Sequence, residues 1–312
     1  MKTSIIALML TAVACSRSEL KEPGRVLEVN AAAMAAGIKR TTLAGVSPEG
    51  LSGMTVDGDG AFVAVAERAR ELVRFRQDGA IFRADPKRIL ISGVRDGLDT
   101  EAIAFIQGNT YAIGTETHHG RRDDAILMVE VEGETAQVTD EVQLDYGAWG
   151  QRAGINHGIE ALCYANGALF IGAEVVVSDR GRRYAPLARY NLDTHAWSFG
   201  KLWLTTATGK VASFECRTGK QAGGIEVIAI ERHFGVGRIL RFEITRDGQL
   251  QELEPQVALD LQRLIDPLPN LEGIAWDARG DLVLVTDNSN VIVTKPTEVV
   301  TIPASALAPV AN

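Results

Sequence analysis

Several things are scarce in this chain, and each scarcity removes a class of protein. Net charge is −8 over 312 residues, so no basic field is available for a nucleic-acid backbone, and duplex binding is excluded as a leading role. No apolar run is long enough to span a bilayer; the best, residues 5–13, falls well short of the roughly 20 residues a spanning helix needs. Cysteine occurs three times, and beyond Cys15 only Cys163 and Cys216 remain, with nothing in the sequence to bring them within bonding distance. Helical periodicity is missing except over residues 31–36. No G-x-S-x-G elbow, Walker loop, H-E-x-x-H or C-x-x-C is found. Familiar nucleotide, serine-hydrolase and zinc-peptidase chemistries therefore lack their usual carriers.

The composition is globular, with 46% hydrophobic residues and 31 glycines. The N-terminus reads MKTSIIALMLTAVACS, with a lysine, a short apolar run and small residues before Cys15. That pattern predicts a signal peptide over residues 1–14. A-V-A-C resembles a bacterial lipobox, with Cys15 as the lipidated residue, although Ala12 stands where leucine is commonest and ordinary signal peptidase would also accept the site. The expected location is the periplasm or the outer membrane, as a lipoprotein whose only membrane contact is the lipid on Cys15. Residues 15–38 would be a lipidated or flexible segment and residues 39–312 a single folded body.

One hairpin recurs along that body. LEGIAW at 271 aligns with LSGMTV at 51, TEAIAF at 100, IEALCY at 159 and VASFEC at 211. Each copy is a short strand followed by a turn rich in Gly, Asn and Asp, which tolerate the positive φ of tight hairpins. Every second strand ends on an acid, at Glu67, Glu116, Glu174, Glu231 and Asp287, spaced 49, 58, 57 and 56 residues apart. ELVRFR, AILMVEV, PLARYNL, RILRFEI and NVIVT supply third strands; RILIS, VQLDY, KLWLT and QVALDL supply fourth strands to the first four copies. EVVTI is left over, and the N-terminal IKRTTL would complete the fifth unit and close a ring. The predicted fold is all-β, a five-bladed β-propeller of four-stranded antiparallel blades.

In a propeller the first strand of each blade lines the axis. The second position of each copy would then converge there: Ser52, Glu101, Glu160, Ala212 and Glu272. Three carboxylates at one axis repel by about 4 kcal/mol per close pair at an effective dielectric of 20. Either some of them hold protons or a cation sits among them. An all-oxygen set in a roomy, irregular ring favours Ca²⁺ over Mg²⁺. Ser52 would add a hydroxyl or carbonyl oxygen, and Ala212 only its carbonyl.

Around the axis the same face gathers His118, His119, His157 and His233 with Arg68, Arg70, Arg121, Arg122, Arg180, Arg182, Arg183 and Arg232. Arginine pairs with phosphate bidentately, so Arg68, His119, His157 and Arg232 are candidate substrate-binding residues. Glu67, Glu116, His118 and Asp287 are candidate catalytic residues, one of them activating water. Each also has a plain reading: a loop arginine or histidine is commonly solvated, and an acid at a strand end commonly accepts backbone N–H groups.

The motifs LSGM at 51, DTEAIAF at 99, NHGIEAL at 156, IEVIAIER at 225 and NLEGIAW with TDN at 270–288 resemble, in order, those of the bacterial phytase-like family, also called esterase-like activity of phytase. The resemblance runs from about Gly45 to Thr294 and implies a secreted propeller with phosphoester or ester hydrolase activity. A more distant likeness is to the calcium-activated nucleotidases (apyrases), five-bladed propellers with hub Ca²⁺ on Ser, Glu, Glu, Ser, Glu. That order falls here on Ser52, Glu101, Glu160, Ala212 and Glu272, with Ala212 departing from it. The resemblances imply a monomer acting on a small, phosphorylated ligand. The competing expectation is a non-catalytic envelope propeller that binds a partner or glycan, its metal purely structural.

Overall fold

A computed structural model describes residues 24–46, 50–67, 69–117, 124–151, 157–219, 223–245, 247–287 and 295–307. The predicted signal peptide, Cys15, Arg68, His118, His119, Arg121, Arg122 and the whole NVIVT segment lie outside them.

The turns set the frame. Asp57 accepts hydrogen bonds from the backbone N–H groups of Asp59 and Ala61, and Gly60 takes a φ of +74°. Asp277 repeats the arrangement with Arg279, Asp281 and Gly280 at φ +84°. An aspartate that bonds its own loop and a glycine in the left-handed region make a tight hairpin.

Strands β1 (Val26–Leu27) and β2 (Lys39–Ala44) flank a short helix α1 (Ala31–Ala35). The first repeat comprises β3 (Leu51–Val56), β4 (Phe62–Ala66), β5 (Glu71–Asp78), β6 (Ile81–Ala84) and β7 (Ile89–Ser92). The second is β8 (Leu98–Gln107), β9 (Thr110–Thr117), β10 (Ala125–Glu132) and β11 (Thr135–Gln143). The third is β12 (Ile159–Ala165), β13 (Ala168–Ala173), β14 (Val177–Asp179), β15 (Arg182–Asn191) and β16 (Trp197–Trp203). The fourth is β17 (Lys210–Thr218), β18 (Ile225–His233), β19 (Val236–Ile244), β20 (Glu252–Leu253) and β21 (Gln256–Asp260), and the fifth is β22 (Leu271–Trp276), β23 (Leu282–Thr286) and β24 (Glu298–Ile302).

Within each repeat successive long strands pair antiparallel. The outer strands differ from expectation in three places. RILIS is only half of the first repeat's outer edge, since β6 pairs with the far end of β5 and β7 with its start. In the second repeat the outer strand is β11, which overlaps VQLDY only at Val142 and Gln143. In the fifth, the strand paired with β23 is EVVTI, as β24, while NVIVT lies outside the described residues. β2 then pairs with β24 and completes that sheet, as the sequence suggested for IKRTTL.

First strands touch in the cyclic order β3, β8, β12, β17, β22 and back to β3. Their third residues, Gly53, Ala102, Ala161, Ser213 and Gly273, are small because neighbours approach there: a Cβ on Gly53 would lie 2.6 Å from the Ala102 Cα. Apolar side chains fill the layers between adjacent sheets, such as Phe170, Phe214 and Val227 between the third and fourth repeats. β1 lies on β2, and Ala33 of α1 is fully buried in the layer between the fourth and fifth repeats, so part of the 15–38 segment is built into the body. Among the described residues no helix is long and apolar enough to cross a membrane.

Candidate functional site

A β-bulge sits at the same place in every first strand. In β8, β12, β17 and β22 the residue left out of register is Glu101, Glu160, Ala212 and Glu272 respectively. In β3 Ser52 stays paired with Val65 and Gly53 is left out. A bulge leaves a residue unpaired and re-aims its side chain. Four of the five positions proposed from the repeat alignment are therefore bulged residues, a feature that hydrophobic patterning does not signal.

All five are buried: Ser52 at 5%, Glu101 at 8%, Glu160 at 7%, Ala212 at 2% and Glu272 at 6% exposure. They do not form one symmetrical ring of ligands. Carboxylate oxygens of Glu67, Asp99 and Glu101 lie within 4.8 Å of one another, and so do those of Glu116, Glu160 and Glu174. Glu272 belongs to neither group. It ion-pairs with Arg232, whose Nε donates to it at 2.7 Å, and accepts from Asn270 Nδ2 at 2.9 Å.

The charges still feel one another. Burial pushes the Glu101 carboxyl well up, Glu160, Glu67 and Glu116 push it further, and a hydrogen bond from Ser52 opposes them. Burial also raises Glu160, helped by Glu174 and Glu272 and opposed by Arg232. Glu272 is pushed up to about 7 by burial, against the pull of Arg232. Glu116 is pushed up to about 7 by burial, although the Gly158 N–H donates to it at 3.1 Å. At neutral pH Glu116 and Glu272 are poised between charged and neutral.

Positive charge enters from the fourth repeat, whose hub position is Ala212. Lys210 pairs with Glu174, and Arg232 with Glu272; the two stand opposite each other at the start of β17 and the end of β18. Lys210 and Asp99 thus join strand-end Glu174 in a site for which the repeat alignment had nominated other hub residues. A lysine two positions before the alanine that replaces a hub acid is the signal that could have found the first.

Other candidates divide. Glu67 and Glu116 sit within the acid groups, and the Asp287 charge helps raise Glu272. His157 is exposed beside β12. Arg232 is committed to Glu272 instead of standing free for substrate. Arg180 and Arg182 pair with Glu252 and Glu254. Glu231 is fully buried and accepts from the backbone N–H and hydroxyl groups of both Thr205 and Thr206, the plain role for a strand-end acid.

Residues 46–290 match the family model described as phytase-like, esterase-like activity of phytase. The chain belongs to the phytase-like family. No curated protein matches this phytase-like chain in sequence. Among solved structures, the exo-β-1,3-galactanase of Phanerochaete chrysosporium superposes with a TM-score of 0.50 at 11% identity, covering 81% of this chain and 59% of that one. A PQQ-bound aldose sugar dehydrogenase from Streptomyces coelicolor gives 0.46 at 11% identity, covering 90% and 98%. A luciferin-regenerating enzyme gives 0.43 at 12%, covering 85% and 94%. At such identities the galactanase likeness is one of fold alone.

Proposed function

We propose that this phytase-like chain is a five-bladed β-propeller that holds Ca²⁺ among its hub acids and hydrolyses a phosphoester or related ester on that face. The observation that carries the reading is Glu160. It is 7% exposed, two more carboxylates lie within 4.8 Å, and no described group donates a hydrogen bond to it. A buried anion without a donor needs a proton or a cation. Glu116, Glu160 and Glu174 would hold the ion, with Glu67, Asp99, Glu101 and Ser52 as the adjoining donor set. These oxygens suit a hard cation of flexible coordination. Bound there, it would offset the acids' repulsion and polarise a substrate oxygen. Asp287, beside Glu272 and outside both acid groups, would accept a proton from the attacking water, while Lys210 and Arg232, paired with Glu174 and Glu272, bring positive charge to the hub.

One observation favours a second reading, an envelope propeller that binds a partner or glycan with the metal structural only. Arg180 and Arg182 are spent on Glu252 and Glu254, and Ala212 supplies no hydroxyl, which leaves few free donors for a phosphate. The deciding experiment offers the purified protein with Ca²⁺ to nucleotides, phytate, p-nitrophenyl phosphate and short acyl esters. Hydrolysis that a chelator abolishes supports the enzyme. A calcium-dependent rise in melting temperature with every substrate intact supports the binding protein, and no calcium response removes the metal from both. Export, lipidation at Cys15 and a monomeric state belong to the same proposal, and radiolabelled palmitate incorporation tests the lipid.

A further inference from the structure

The other end of the first-strand ring carries a feature that the hub reading does not use. The fifth residues of the repeated strands are Thr55, Ala104, Cys163, Glu215 and Ala275, one acid among small side chains. A cavity of about 260 Å³ opens there, its walls including Thr55, Phe105, Cys163, Tyr164, Glu215 and Cys216. Cys163 and Cys216 are joined as a disulfide and offer no ionisable thiol. No described group donates a hydrogen bond or an ion pair to Glu215. Arg217, the nearest cation on its own strand, donates to Glu226 at 2.7 Å and lies over the Trp276 ring at 3.6 Å. The site is thus a half-open cavity with one unpaired carboxylate and two aromatic rings in its walls.

We propose that this cavity binds a small organic monocation, an ammonium or guanidinium group paired with Glu215 and flanked by Phe105 and Tyr164. A carboxylate attracts such a cation through charge, and an aromatic wall adds attraction through its ring quadrupole. A metal ion is disfavoured, because a hard cation collects several oxygen ligands and only one carboxylate is present. An anion would meet a like charge without a positive partner. The cavity is close to the lower size of small-molecule sites, which limits the ligand to a compact head group.

The pH response follows from the same geometry. Burial alone holds Glu215 up to about 8. The other groups facing it are neutral: Thr55 from β3, Phe105 and Ile106 from β8, and Tyr164 from β12. Glu226 of β18 is occupied by Arg217 and Arg241. A cation binds the ionised form, so affinity rises as pH climbs from 6 to 8, and binding below 8 releases a proton.

Calorimetry of the full chain with choline, n-butylammonium and the neutral choline isostere 3,3-dimethylbutan-1-ol tests this. Both cations should bind at pH 8, the alcohol should not, and Glu215→Gln should weaken cation binding at least about tenfold. Glu215→Gln keeps the size and shape of a half-buried side chain, so its fold is expected to survive, and its melting curve checks that. Glu160→Ala, at the opposite end, should leave choline binding unchanged, which separates this site from the hub. The proposal is overturned if neither cation binds the wild type, if Glu215→Gln binds them equally well, or if the alcohol binds as tightly as choline.

Discussion

Glu116 and Glu272 share an unusual burden: each is buried to within a few per cent and each carboxyl is pushed up to about 7 from an ordinary value near 4.5. The folded state therefore binds more protons than the unfolded chain between those values. Stability must fall as pH rises through that window, because ionisation is easier in the unfolded chain. With chelator present, the melting temperature should drop between pH 5 and pH 8. Ca²⁺ should restore more at pH 8 than at pH 5, since it binds the ionised acids. A chelated protein equally stable at both pH values would show that these acids carry no strain. Arg232 gives a second, sharper prediction. It sits against Glu272 and its charge also reaches Glu160. Arg232→Met should cost about 3 kcal/mol in the ion-free protein, because it leaves a buried acid unpaired. The same change removes a competing positive charge, so the calcium-dependent rise in melting temperature should grow. Were Arg232 purely a substrate ligand, neither quantity would move. Glu101, Glu160 and Glu272 were legible in the sequence because repeats superimpose equivalent positions. Glu174 was legible only as a strand-end acid and Lys210 not at all, since their pairing depends on how far two neighbouring repeats are rotated, which no local pattern encodes.

At the level of elements, the inner hairpins read clearly and the outer strands did not. The first two strands of each repeat are bounded by turn chemistry that fixes their register, as Asp57 with Gly60 and Asp277 with Gly280 do. Outer strands have only one paired neighbour of their own repeat, so several apolar runs compete for the place. That is why the outer edge of β5 is divided between β6 and β7, and why EVVTI, left over in the repeat alignment, is the strand beside β23. The bulges were invisible for a related reason. They are imposed by packing, since each first strand lies against two others. Gly53 marks the closest approach: an added Cβ would meet the Ala102 Cα at 2.6 Å and the Glu101 carbonyl oxygen at 2.8 Å. Gly53→Ala must push β3 from β8, costing about 2 kcal/mol and displacing Glu101. Its urea midpoint and its calcium response should both fall. Gly60→Ala strains a positive φ in a turn where nothing lies within 4 Å, so it should cost about 1 kcal/mol and leave the calcium response intact. Equal calcium responses in the two variants would sever the link between ring packing and hub geometry.

For the whole molecule the question is how a ring of sheets stays closed. Parallel pairs join some neighbours at their outer edges: β2 with β6 links the fifth repeat to the first, β7 with β11 the first to the second, and β16 with β20 the third to the fourth. The third and fourth are also tied by Cys163–Cys216, a closed loop of 53 residues. The all-β ring of repeats was legible because five copies of one hairpin leave few other architectures, and the use of IKRTTL to complete the last sheet followed from a missing outer strand. The edge-to-edge joints were not legible, being products of the assembled ring. β2 carries two jobs at once, since it pairs antiparallel with β24 from Lys39 to Thr42 and parallel with β6 at Leu43 and Ala44. Arg40 also ion-pairs with Glu298 across the first of these contacts. Deleting residues 24–45 should therefore expose the edge of β24 and free the joint between the last repeat and the first, while every first strand keeps its sequence. Hydrogen exchange should accelerate first in β22 to β24 and in β5 and β6, and only later in β12 to β16, which the disulfide and β20 hold. A peptide of residues 38–46 added in trans should slow exchange at β24, because it restores the missing partner. Uniform acceleration across all five repeats would mean that the ring opens as one cooperative unit, and unchanged exchange would mean that the contacts among β3, β8, β12, β17 and β22 close it without help from β2.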